Sequence, residues 1–169
     1  MAATVEIDEQ NGASKSPTLT HNIANTNMGS KDAANLDPVA YPIVPGGNSC
    51  DKWQLVHVID MGTSSKISNI KVWRTGPMGN GAIHLTNASN VNYSGAPTYS
   101  QPSTASSSIA TQVMPTSAPG PANLGIGGSL DGVLTSSGYS DFLVHQIQTT
   151  TTATAGTTTT LNYQYDEIA

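Results

Sequence analysis

The amino-acid sequence predicts an all-β fold: one β-sandwich or jelly-roll-like domain preceded by an extended N-terminal arm. Three observations carry that expectation. Glycine (16) and proline (10) are scattered through the 169 residues, cutting the chain into pieces that suit short strands and turns and leave little room for helices. Several of those pieces alternate apolar and polar residues with a period of two, as half-buried strands do. Only 10% of residues are charged, against roughly 25% in an ordinary soluble domain. The polarity comes instead from Ser, Thr, Asn and Gly, and threonine is a good strand former.

Residues 1–50 read as the arm. Turn formers are dense there (Asn11-Gly12, Ser16-Pro17, Asp37-Pro38, Tyr41-Pro42, Pro45-Gly46-Gly47-Asn48), and large apolar side chains are sparse before Leu36. One or two short strands, at 4–8 and 18–24, are expected, with order that depends on neighbouring molecules. Residues 51–169 form the sandwich domain. In 53–61 the side chains of Trp53, Leu55, His57, Ile59 and Met61 share a face, and Gly62–Ser65 is a turn. In 67–74 Ile70, Val72 and Arg74 lie opposite Asn69, Lys71 and Trp73. These two strands are read as a hairpin or a neighbouring pair.

Beyond the break at Gly76–Gly81, residues 82–86 are a candidate strand. The Ser/Pro/Gly-rich stretch 87–129 is long for a bare loop; a strand or one irregular turn is expected inside it at 109–114, and another short strand after it at 130–135. Tyr139–Thr152 and Thr157–Asp166 flank Ala153–Gly156 and read as a long hairpin with a threonine-rich tip. The total, roughly seven to nine short strands, fits a sandwich or jelly roll.

Charge and cysteine usage exclude several functions. The net charge is −5 and the six basic residues are scattered singly, so the chain carries no electrostatic footprint for nucleic acid. Cys50 is the single cysteine; no intramolecular disulfide can form, and synthesis in a reducing host cytoplasm is expected. The N-terminus lacks the basic and apolar regions of a signal peptide, and no apolar run reaches membrane-spanning length. A soluble product with no membrane partner is expected.

No catalytic pattern emerges. His21, His57, His84 and His145 do not pair at a metal-ligand spacing in the chain, although residues on different strands leave a spatial cluster open. Asp141 and His145 with a serine could be drawn as a triad, but no Gly-x-Ser-x-Gly elbow supports one. Gly125-Ile126-Gly127-Gly128 lacks the spacing of a dinucleotide fingerprint, and no pair of acids stands out as a glycosidase dyad. Asn87-Ala88-Ser89 and Asn92-Tyr93-Ser94 match a glycosylation sequon without a secretory context. The expectation is a non-enzyme without cofactor or metal. Trp53 reads as core. Trp73, beside Asn69 and Lys71, reads as core or as an interface anchor. Arg74 and the threonines of the tip, Thr151, Thr152, Thr157 and Thr158, complete the candidate interface.

Three segments together resemble a known class. They are Asp51–Val58 followed by Ile67–Trp73, Met114-Pro115 with the Pro119–Leu124 region, and Ser140–Ile147 ahead of Leu161–Glu167. In this order, across about residues 50–167, the pattern is similar to the small virion proteins of tailed phages, especially head-decoration (cement) proteins. The resemblance implies a β-sandwich on the capsid exterior that binds the major capsid protein lattice and reinforces it, often as a homo-oligomer. The alternative is a tail, neck or fibre component, including a host-surface or glycan-binding module; a polysaccharide hydrolase and a bacterial adhesin are further alternatives.

Overall fold

The computed structural model describes residues 1–87, 95–154 and 158–169. Among these the chain forms ten strands and no helix: β1 (Thr4–Asn11), β2 (Thr18–Thr20), β3 (Lys52–Asp60), β4 (Lys66–Thr75), β5 (Ala82–Thr86), β6 (Gln112–Val113), β7 (Val133–Leu134), β8 (Gly138–Tyr139), β9 (Leu143–Thr149) and β10 (Thr160–Ile168). Two antiparallel sheets result. The larger runs β2-β1-β3-β9-β5-β6, with β8 pairing β3 beside β9; the smaller runs β10-β4-β7. The all-β expectation is met, and the two sheets face one another as a sandwich.

Between the sheets lie Val56, Ile70, Val72, Met114, Leu124, Ile126 and Leu143, with Val5, Ile7, Leu161, Tyr163 and Tyr165 packed against them. The alternation in β10, Leu161, Tyr163 and Tyr165 inward, is as expected. A second cluster, Trp53, Ala110 and Val144 with Leu85, Tyr99, Ile109 and Phe142, forms on the outer face of the larger sheet. Trp53 meets Tyr99 and Phe142 edge to face at 5.3 and 5.4 Å, an arrangement favoured by the ring quadrupoles. The loop around 96–110 covers that face. Strand β3 is therefore buried on both sides over most of its length, which accounts for its nearly continuous apolar character.

Three pairing expectations are corrected. First, residues 1–50 are not an arm standing apart from the domain. β1 lies inside the larger sheet, paired in register with β3 from Val5↔Val58 to Gln10↔Trp53. Its periodicity is hidden because its outward side chains, Glu6 and Asp8, are carboxylates, and its inward face ends in the fully buried Glu9. Second, the strands at 53–61 and 67–74 exist, but β3 and β4 belong to different sheets. The chain crosses between them through Gly62, where φ is +58° and a Cβ would strike the Met1 carbonyl oxygen. Third, β9 and β10 do not form a hairpin: β9 pairs β3 and β5, and β10 pairs β4. The expected turn at Gly156 lies outside the described residues.

One backbone irregularity resets a face. Gln164 pairs Lys71 and Asp166 pairs Ser68, so two residues of β4, Asn69 and Ile70, oppose the single Tyr165. Asn69 sits at φ +55°, a conformation asparagine tolerates better than most residues, and this β-bulge rephases the strand. Without it Ile67 and Ile70, three apart, would point to opposite faces. With it both are buried, at 0% and 1% exposure.

Candidate functional site

The site grows from β1. Glu6 and Asp8, two residues apart, project from the same face of the strand. Across the ladder Glu6 pairs His57 of β3, so this imidazole comes to the same face. The chain after β2 then brings His21 over the pair. Nδ1 of His21 lies 2.7 Å from Oδ2 of Asp8 and 3.5 Å from Oε1 of Glu6; Nδ1 of His57 lies 3.1 and 3.0 Å from the same two oxygens. The four atoms are all within 4.8 Å of one another.

The members differ in how firmly they are held. Asp8 is fully buried and its Oδ1 accepts the Asn22 backbone N–H at 3.0 Å, so it anchors the turn that carries His21. Asn22 takes a left-handed φ of +48° there. His57 stacks on Tyr139 with ring centroids 4.1 Å apart. The His21 side chain is 54% exposed, and solvent reaches the site from its side. Desolvation first, then the negative charges of Asp8 and Glu6, push the Tyr139 hydroxyl above its ordinary value. Two imidazole nitrogens and two carboxylate oxygens converging on one point can act as hydrogen-bonded acid–base pairs or as a ligand set for a metal ion.

The other two histidines belong to the interior. Nε2 of His84 is 2.9 Å from Nδ1 of His145, and Nε2 of His145 is 3.0 Å from Oε1 of Gln54. Tyr163 O–H also donates to Gln54 Oε1, joining the two sheets, and Gln54 Nε2 donates to Glu9. Lys52 closes the network with a 2.7 Å contact to Glu9 and a bond to the Ala33 carbonyl. Burial holds His84 down to about 4 and His145 well below the usual range, so both rings are neutral. Burial, then Asp32 and Asp51, pushes the Cys50 thiol up to about 11. Its thiolate is scarce at neutral pH, which suits packing and not nucleophilic chemistry.

The residues expected at an interface do not gather in one place. Trp73 is half-buried on the outer face of the smaller sheet, opposite Asn162. Arg74 follows it, bonded through Nη1 to the Gly76 carbonyl. Thr151, Thr152 and Thr158 are exposed, while Thr157 lies outside the described residues, as does the sequon at Asn92. Asp141 accepts the backbone N–H of Gly128 on both carboxylate oxygens, at 3.1 and 3.0 Å. A groove of about 770 Å³, lined by Met28, Val39, Ile43, Met78 and Ala153 among others, opens beside the 26–45 segment.

Sequence reasoning passed over Glu6, Asp8 and His21 as a group. The available signal was Glu6-x-Asp8 at strand period in a segment taken for an arm; which strand would lie opposite was not legible. Compared with known proteins, the chain matches no family model, no curated protein and no solved structure.

Proposed function

We propose that this chain is a non-enzymatic assembly module of a tailed-phage particle, a head-decoration protein that binds the capsid lattice from outside and stabilises it. One observation supports the assembly role above the others: the unequal edges of its two sheets. The larger sheet ends in β2, of three residues, and β6, of two; short edge strands offer little to a foreign strand. The smaller sheet ends in β10, of nine residues, along which, among the described residues, β4 is the hydrogen-bonded neighbour on one side only. A long edge is the place where an extended segment of a neighbour adds a strand, with backbone hydrogen bonds giving affinity. The particle setting rests on the resemblance of the three segments to decoration proteins. Stabilisation would follow by mass action, since a ligand that binds the assembled shell alone favours that shell.

Co-sedimentation with phage heads lacking the protein, with tails and host envelopes as controls, tests the reading. Saturable binding to heads with a rise in their melting temperature is the expected result. Binding to tails or envelopes alone would replace it with the tail or host-surface reading, for which the half-buried Trp73 on the outer sheet face is the natural anchor.

A further inference from the structure

We propose that Glu6, Asp8, His21 and His57 form a structural site for a divalent transition metal of the zinc class, which staples the N-terminal β1–β2 unit to the sandwich. The proposal is independent of the particle reading. In a tetrahedral site with ligand bonds of about 2.0–2.2 Å, neighbouring ligand atoms stand about 3.3–3.6 Å apart. The four nitrogen–oxygen edges here measure 2.7, 3.5, 3.0 and 3.1 Å. The 3.5 Å edge already fits; the two His57 edges need to widen by a few tenths of an ångström and the His21–Asp8 edge by about 0.6–0.9 Å, and that last movement falls to the exposed His21.

Hydrogen bonding alone uses the arrangement less fully. Each Nδ1 has at most one proton, yet each faces both carboxylate oxygens, so two of the four contacts lack a proton of their own. The two acids also turn oxygens toward each other within 4.8 Å, which is repulsive. A dication at the centre contacts all four atoms and cancels both negative charges. Two imidazoles among the ligands favour zinc, cobalt, nickel or copper over calcium or magnesium, which prefer oxygen alone. Four protein ligands and no open position mark a structural site and not a hydrolytic one. The Asn22 N–H on the far oxygen of Asp8, 3.0 Å away, and the Tyr139 ring on His57 are the outer contacts that orient ligands in such sites.

The full chain, stripped with chelator, is titrated with Zn2+ by calorimetry and with Co2+ by visible absorption, the latter reporting four-coordinate geometry. One equivalent of Zn2+ is expected to bind and raise the melting temperature, and Co2+ to give the intense visible bands of a tetrahedral complex. His21→Gln, at an exposed position that keeps the fold, should weaken binding at least about 100-fold, since even outer contacts cost 10–100-fold. His57→Gln should do the same, and His84→Gln, remote from the site, should not. Absence of binding to the unaltered chain overturns the proposal. So does retention of full affinity and the same cobalt spectrum in His21→Gln.

Discussion

Nε2 of His84 lies 2.9 Å from Nδ1 of His145, deep between strands β5 and β9. The partners fix the protons: Gln54 Oε1 already accepts from Tyr163, so His145 must donate to it from Nε2 and accept at Nδ1. His84 then donates from Nε2 and keeps Nδ1 as a lone-pair acceptor, an atom that is buried without a partner among the described residues. Protonating His145 at Nδ1 would set that N–H against the His84 donor, and protonating His84 at Nδ1 would bury a charged N–H with no partner among the described residues.

Stability is therefore expected to fall as pH drops from about 6.5. Below that value the unfolded chain takes up a proton on each histidine and the folded chain does not, so the unfolded state is favoured. The slope is about 1.4 kcal/mol per pH unit for each histidine; for His84 the window closes near about 4, where its folded form also protonates. Urea unfolding between about pH 7 and pH 5 measures this, and His84→Gln should lose one histidine's share. A flat profile would show that the pair is not held neutral.

Lys52 and Glu9 form an ion pair whose side chains are 4% and 0% exposed. Removing one charge leaves the other stranded in the interior, so Lys52→Met is expected to cost about 3–5 kcal/mol. Replacing both, as Lys52→Met with Glu9→Leu, should recover much of that loss. Chemical denaturation of the single and double variants separates the pair's net worth from the penalty of breaking it.

Asn69 holds the bulge that turns Ile67 inward. A β-branched residue resists its φ of +55°, so Asn69→Val is expected to cost about 1–3 kcal/mol in backbone strain, besides the side-chain bond to Asp166. Asn69→Gly should keep the backbone and lose chiefly that exposed bond. Equal stability of the valine and unaltered proteins would contradict the left-handed conformation.

Gln164 is exposed on the edge strand β10. A lysine there discourages strand addition without touching the core. Gln164→Lys is expected to weaken binding to phage heads while changing the unfolding free energy by less than about 0.5 kcal/mol. Undiminished binding would remove β10 from the interface.

Much of the strand content was legible because a strand's period is local. Trp53, Val72, Leu143, Leu161 and Tyr163 declare their faces within a few residues of sequence, and the abundance of glycine and proline rules out long helices. The first strand was harder to read. Its outward positions are acidic and its inward face ends in Glu9, so its burial becomes intelligible only beside Lys52, Gln54, His21 and His57, which meet it in space.

The sequence by itself determined the all-β class, the approximate strands and the residues able to line a core, because alternation and turn chemistry act over neighbouring residues. Only the tertiary structure decided which strands pair. β3 and β4 part at Gly62, β9 and β10 enter different sheets, and β1 inserts beside β3. Such pairings are set by the summed packing of distant faces, which no local pattern encodes. The same holds for the cluster at Glu6, Asp8, His21 and His57: cross-strand register places His57 opposite Glu6, and a turn anchored on Asp8 delivers His21.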